Sequence, residues 1–255
     1  MLSQTNTSTI ESGQYLNKVR LENLLRRITP APAQPVASVY VQQGDIEPFL
    51  QSNESSGQEW WSHLSELGDP VLKSDTGIVG LRSGDKGLAI IPPFPVLQSS
   101  LSAEWNVEPL LEILKAQYTV GVVLLRLGRY SVAVYRGEQL VSSKTDSRYV
   151  KGKHHAGGTS QLRFQRIREG QMRKIYDKTC LVVRTQFTPY SANLDYVMLG
   201  GERFTLNGFL KVCPFMQQYL PITLSRRLNV RDPKRDTLED VGNMLWESRL
   251  YPFQW

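Results

Sequence analysis

Apolar residues recur along this chain at two spacings, three-to-four and two, and the changes from one to the other mark out its elements. Leu16, Val19, Leu21, Leu24 and Leu25 fall at helical spacing. The run Pro30-Ala31-Pro32-Ala33-Gln34-Pro35 stops the helix they predict, because proline has no N–H to donate within it. Ser38 to Val41 then reads as a strand, Ser52 to Gly57 as a polar loop, and Trp60 through Leu64 to Leu67 as a short helix. Gly77 to Leu81 and Gly87 to Ile91 predict two strands joined by the turn Ser83-Gly84-Asp85-Lys86. Pro92, Pro93 and Pro95 close a smaller N-terminal α/β unit over residues 1–100.

A second unit follows over residues 101–255. Val107, Leu110, Leu111 and Leu114 predict a helix from Asn106 to Ala116. The β-branched run Val120 to Leu127 predicts a buried strand, and the alternating segments Ser131 to Tyr135 and Gln139 to Ser143 extend it into an antiparallel meander. The meander leads into Lys151-Gly152-Lys153-His154-His155-Ala156-Gly157-Gly158, which has three glycines and no large apolar side chain, and so reads as a loop. Thr159 or Ser160 is suited to cap the helix that follows, since a hydroxyl oxygen accepts from an unpaired first-turn N–H. In that helix Phe164, Ile167, Met172 and Ile175 make an apolar side, with Arg163, Arg166, Arg173 and Lys174 largely opposite. Leu194 to Leu199 is a strand ending in Gly200-Gly201, Phe204 to Tyr219 a helix, Ile222 to Val230 a strand and Thr237 to Leu250 a last helix. That alternation predicts right-handed crossovers on a mixed sheet, and the fold class is α/β.

With 40% hydrophobic and 21% charged residues in 255, the chain is neither fibrous nor wholly disordered. Met1 to Gly13 lacks a basic region and an apolar region of the kind that directs export, and no apolar run is long enough to span a bilayer. A cytoplasmic protein with no membrane partner is therefore expected. Cys180 and Cys213 read as two lone thiols in the core, which fits a reducing compartment and excludes a cysteine-based zinc site. Charge changes the picture more. Between Lys144 and Lys178 lie ten basic residues against three acidic ones, an excess larger than the +6 of the whole chain. A basic stripe of this kind attracts a polyanion, and nucleic-acid phosphate is the commonest inside a cell.

The stripe centres on the loop. Two adjacent glycines, Gly157 and Gly158, allow backbone angles closed to other residues and close approach to a ligand. A plain turn or a phosphate-cradling loop would account for the glycines and lysines equally well. The nucleotide-binding Walker pattern is absent, since the glycines are followed by Thr159-Ser160-Gln161. His154 and His155 are adjacent and the third histidine, His63, is distant, so RNA or phosphate contact suits them better than a metal site. Ser142, Ser143 and Ser160 have no histidine and carboxylate arrangement that would make a hydrolytic triad.

The stretch Lys151-Gly152-Lys153-His154-His155-Ala156-Gly157-Gly158-Thr159-Ser160-Gln161-Leu162-Arg163-Phe164-Gln165-Arg166-Ile167-Arg168 resembles the catalytic loop and following helix of archaeal and eukaryotic class-1 peptide-chain release factors. The likeness covers roughly residues 75 to 250, with the strands, prolines and helix before the loop in the order those factors have them. One departure matters: Thr159 and Ser160 stand between the glycines and Gln161. The displaced glutamine is similar to that of the Vms-like release factor family, which cleaves peptidyl-tRNA in ribosome-associated quality control.

This resemblance implies a release-factor middle-domain-like (RNase H-like) mixed sheet with flanking helices. It implies Gln161, Gly157 and Gly158 as catalytic residues, with Thr159 and Ser160 as loop support. Lys151, Lys153, His154, His155, Arg163, Arg166 and Arg168 would bind RNA. The implied partners are the large ribosomal subunit, its rRNA and peptidyl-tRNA, with no metal or organic cofactor. The implied activity is a peptidyl-tRNA hydrolase freeing nascent chains. Cleavage of the tRNA near its 3′ end, and a non-catalytic ribosome-binding or RNA-binding module, are the alternatives. No codon-reading, zinc-finger, ankyrin or segregase-binding segment is visible, so stop-codon decoding is not expected.

Overall fold

A computed structural model of the chain describes residues 9–10, 13–28, 30, 34–53, 67–147 and 159–254. Contacts divide the chain into two units, Met1–Ala116 with Trp246–Trp255, and Gln117–Leu245. This differs from the expected break at residue 100. The helix Glu108–Lys115 packs against the helix Lys18–Arg27, and the C-terminal strand Ser248–Gln254 pairs with the strand Lys86–Ile91, so both group with the first unit. The helix expected from Trp60 to Leu67 and most of the loop Ser52 to Gly57 lie outside the described residues.

The first unit contains strands Thr9–Ile10 (β1) and Gln14–Leu16 (β2), helix Lys18–Arg27 (α1), strand Val36–Val41 (β3), and helices Ile46–Asn53 (α2) and Asp69–Leu72 (α3). Strands Ile78–Ser83 (β4), Lys86–Ile91 (β5) and Ser100–Ser102 (β6) and helix Glu108–Lys115 (α4) follow. In α1 the Asn17 side chain accepts from the Arg20 N–H at 2.9 Å, and Leu21 and Leu25 are buried. The strands form an antiparallel sheet in the order β1, C-terminal strand, β5, β4, β3, β6, with β2 also paired to the C-terminal strand. Ala37, Val39 and Val41 alternate into a core with Ile46, Val71, Ile78, Ala89, Tyr251 and Phe253.

The C-terminal strand overturns the expected helix from Thr237 to Leu250. Helical spacing of Leu238, Val241 and Leu245 does give a helix, but it ends at Met244, and Ser248–Gln254 pairs with β5 in the register Arg249↔Ile91 to Gln254↔Lys86. Leu250 and Tyr251 supply the apolar faces of a strand buried on both sides, and that long-range pairing overrides the local period.

The second unit is a five-stranded mixed sheet with flanking helices. It is built from strands Thr119–Arg126 (β7), Arg129–Arg136 (β8) and Gln139–Ser147 (β9), then helix Thr159–Phe187 (α5), strand Tyr196–Gly201 (β10) and helix Arg203–Val212 (α6). Strand Thr223–Leu228 (β11) and helix Thr237–Met244 (α7) complete it. The sheet order is β11, β10, β7, β8, β9; β10 is parallel to both β7 and β11, whereas β7, β8 and β9 form the antiparallel meander. Gly128 (φ 102°) and Gly137 (φ 58°) take the left-handed backbone that its two tight turns require. The two crossovers put α5 and α6 over one face of the sheet. There Val123, Leu125, Tyr130, Val132, Val134, Val197 and Leu199 pack with Ile175, Val183, Phe187, Leu206 and Phe209.

Two further expectations are corrected here. The helix predicted from Phe204 to Tyr219 breaks at Pro214, after which Pro214–Ile222 continues as a 3-10 segment. Cys180 and Cys213 are not lone thiols: they form a disulfide that ties α5 to the C-terminal cap of α6, with Cα atoms 5.4 Å apart. The helix packing brings them together across 33 positions with no spacing motif to announce it, so free cysteines give no support to a reducing compartment.

Candidate functional site

Lys151, Lys153, His154, His155, Gly157 and Gly158 lie outside the described residues. Thr159, Ser160 and Gln161 are the first three residues of α5, so Thr159 and Ser160 stand inside its first turn and not ahead of it. Nothing is described of these three side chains, but the helical backbone places their positions.

At 29 residues α5 is about 43 Å long, far more than the sheet beneath it can cover. Its core-facing residues, Ile175, Tyr176, Thr179, Val182, Val183 and Phe187, are all buried and all fall in its second half. Up to the middle of the helix, Arg163, Arg166, Ile167, Gly170 and Arg173 are exposed, as is Lys174 just beyond it. The expected apolar side is thus corrected: Ile175 is buried and Met172 packs at the core's edge, but Ile167 is 38% exposed. The side chain of Phe164 is outside the described set. Among the described residues the core contacts of the helix begin near Met172, and Gln161 lies about 21 Å along the axis before Ile175.

The helical step sorts the arm's residues into two faces. Gln161 stands about five full turns before Thr179, which is buried, so it shares the azimuth of the core-facing line. Arg168 lies close to the same line; it is half-buried, and its Nε is buried without a hydrogen-bond partner. Arg163, Arg166 and Lys174 lie on the opposite, outward face. Of the residues expected to bind RNA, the three that are described divide between two faces: Arg163 and Arg166 are exposed on the outward one, whereas Arg168 belongs to the inner side.

Because β7, β9, β10 and β11 run the same way, all four end on the edge of the sheet from which the segment 148–158 departs and α5 returns. An open cleft of about 580 Å³ sits at these strand ends, lined by Arg126, Leu127, Gly201, Glu202, Arg227, Leu228, Asn229 and Val230. Gly201 in this lining has φ 132°, and a Cβ there would lie 2.1 Å from the Leu125 carbonyl oxygen, so only glycine fits this strand end. Nearby, Arg129 Nη1 donates to both oxygens of Asp232 at 2.7 and 2.8 Å, and Lys234 lies 3.2 Å from the same carboxylate. Partial desolvation raises the Asp232 pKa, but hydrogen bonds and charge from Lys234 and Arg129 outweigh it and hold the group below its ordinary value. Burial pushes Tyr176, on the core side of α5, upward; the Glu202 carboxylate adds to this and Arg168 opposes it.

Sequence reasoning did not find this cleft. The glycine pair Gly200-Gly201 was a usable signal, since a strand that ends in two glycines allows close backbone approach at its tip. Arg126 and Arg227 carried no local signal, because only strand order brings them together. Among the described residues no three His, Cys, Asp or Glu side chains could hold a metal ion, and no helix is long and apolar enough to cross a membrane.

The family model for the Actinobacteria/chloroflexi VLRF1 release factor matches residues 118–251. The chain is 26% identical to peptide chain release factor subunit 1 of Archaeoglobus fulgidus over 138 residues, covering 52% of this chain and 34% of that protein. It is 33% identical to the corresponding Methanosphaera stadtmanae protein over 108 residues, covering 42% and 26%. The match thus spans about a third or less of these relatives' length. Among solved structures, the Vms1 mitochondrial localization core aligns with a TM-score of 0.40 at 14% identity, over 67% of this chain and 74% of that one. The archaeal translation termination factor aRF1 aligns with a TM-score of 0.37 at 13% identity, over 89% and 71%.

Proposed function

As the chain belongs to the Actinobacteria/chloroflexi VLRF1 release factor family, we propose that it frees nascent chains from peptidyl-tRNA on the large ribosomal subunit, with Gln161 as the catalytic residue. The observation that supports this reading is the shape of α5: a helix whose described side chains before Met172 are mostly exposed, with Gln161 near its start and Arg163 and Arg166 on the outward face. Such an arm suits a reaction centre recessed within RNA. Lys151, Lys153, His154 and His155, with Arg163 and Arg166, hold the arm against phosphates. Gly157 and Gly158 let the backbone approach the substrate closely.

The substrate is the ester joining peptide to the terminal ribose of tRNA. Gln161, through its side-chain amide or backbone N–H, orients a water and stabilises negative charge on the carbonyl oxygen. The water oxygen bonds to the carbonyl carbon, the bond from that carbon to the ribose oxygen breaks, and the ribose oxygen takes up a proton. Peptide acid and intact tRNA are the products. The reaction needs placed dipoles and a positioned water more than a strong base.

The test uses isolated large subunits carrying labelled peptidyl-tRNA. Gln161→Ala should lower the release rate at saturating protein by roughly 100-fold or more, with subunit binding nearly intact because no charge is lost. Unchanged release in that variant refutes the role of Gln161. The product separates the alternatives: tRNA shortened at its 3′ end means nuclease action, and binding without any product means a docking module.

A further inference from the structure

We propose that the strand-end cleft of the second unit is a second RNA-docking site, gripping backbone phosphates through Arg126 and Arg227. It rests on the proposed function in one respect, that the RNA is ribosomal.

Four described cations of this unit are engaged internally. Arg129 and Lys234 bind Asp232, Arg173 pairs with Asp177, and Arg226 donates to the Leu245 carbonyl at 2.7 Å. Arg126 and Arg227 are exposed, line the cleft from the ends of β7 and β11, and make no ion pair among the described residues. Arg203, at the start of α6, and Arg231, one residue beyond Val230 of the lining, are likewise exposed and unpaired among those residues. Glu202 is the one acid lining the cleft, and it lies 3.4 Å from the Thr205 hydroxyl.

The cleft does not end at Arg227. The same arginine lines a neighbouring groove of about 460 Å³ in which Arg203, Asn207, Thr223 and Ser225 stand among five leucines. Arg227 thus lines both openings, with Arg126 in one and Arg203 in the other, and several guanidinium groups spread over two adjoining openings fit a polymer of phosphates better than a single small anion. A guanidinium presents paired N–H donors to a phosphate, so unpaired arginines in open clefts are the side chains that phosphate recognition calls for. The cleft also lies at the end of the unit where the basic arm projects. One RNA surface can meet both, and two points of contact would fix the direction of the arm where one would leave it free to swing.

The experiment measures binding of the full chain to large ribosomal subunits, and to fluorescein-labelled single-stranded RNA, over a range of salt. Each phosphate contact contributes about 0.7 to 0.9 to the slope of log affinity against log salt, so Arg126→Gln with Arg227→Gln should flatten that slope by about 1.4 to 1.8 and weaken binding about 25- to 60-fold near ~0.1 M monovalent salt. Raising the protein concentration should overcome the deficit in peptide release. Arg126→Lys with Arg227→Lys keeps the charge and should restore the slope, which excludes misfolding as the cause. An unchanged slope, or a loss of affinity with no change in slope, overturns the proposal. So does displacement of labelled RNA from the native chain by inorganic phosphate at constant ionic strength, which would mark a small-anion site. If the native chain binds subunits but releases no peptide, the proposed function fails while the docking measurement still stands. If it releases peptide and the double glutamine variant binds normally, the cleft reading alone fails.

Discussion

The exposed half of α5 makes its stability a local matter, and Gly170→Ala tests this. Most helices in proteins are held by packing of one face, and the arm before Met172 has little such support among its described residues, of which only Arg168 and Gln171 are half-buried. Gly170 sits near the base of that arm, inside the helix, and a Cβ built on it meets nothing within 4 Å. The substitution adds no contact and removes none, so its effect is confined to the backbone. Glycine in a helix interior is less favourable than alanine by about 1 kcal/mol, chiefly through the freedom it loses on ordering. Under conditions where reclosing outpaces exchange, that corresponds to roughly five-fold slower amide hydrogen exchange for residues whose opening melts the arm. Mass-resolved exchange of a peptide spanning Arg163 to Glu169 measures it. In the native chain these amides should exchange far faster than those of Val182 and Val183, which are buried. The reasoning is refuted if the two regions are equally protected in the native chain, since the arm would then open only with the core. It is refuted too if Gly170→Ala leaves exchange in the arm unchanged.

Three further predictions concern the frame that carries the arm. Replacing both Cys180 and Cys213 by serine opens a cross-link spanning 33 positions and should lower unfolding free energy by roughly 3–4 kcal/mol in a urea titration. Gly201→Ala forces a side chain into a left-handed backbone against the Leu125 carbonyl, and should cost more than about 2 kcal/mol in the same titration. Tyr196 is pushed up to about 12, by burial first and then by Tyr118 and Asp195, from an ordinary value of 10.0. The fold therefore favours the neutral phenol, and stability present below pH 10.0 is lost as pH rises towards about 12. Tyr196→Phe should flatten the pH dependence of unfolding across that window, and an unchanged profile contradicts the assignment.

What was legible in the chain follows from the range over which each feature is decided. The meander from Thr119 to Ser147 could be read because its alternation and its glycine turns are local, and each strand pairs with its neighbour in sequence. The fold class could be read for the same reason. The C-terminal strand could not, because Leu238, Val241 and Leu245 set a helical period that runs on towards Leu250, and only pairing with β5 ends it. The disulfide, the cleft arginines and the grouping of α4 with the first unit are also products of topology. The loop residues were picked out by composition and by family resemblance, but the division of the arm into faces required the length of α5 and the point where its core contacts begin.

That division bears on how the glutamine would be used. A basic stripe read along the sequence suggests that charge surrounds the candidate catalytic residue evenly. On the helix, Gln161 shares the inner azimuth with Arg168, Met172 and Ile175, while Arg163, Arg166 and Lys174 are turned away from it. A helix seated against RNA by its outward face would thus hold the glutamine position on the side away from the phosphates. Charge would then fix where the arm lies without crowding an uncharged amide that has to orient a water. Arg168 is the exception on the inner side, and its buried, unpartnered Nε makes it a part of the arm's root more than of its RNA-facing surface.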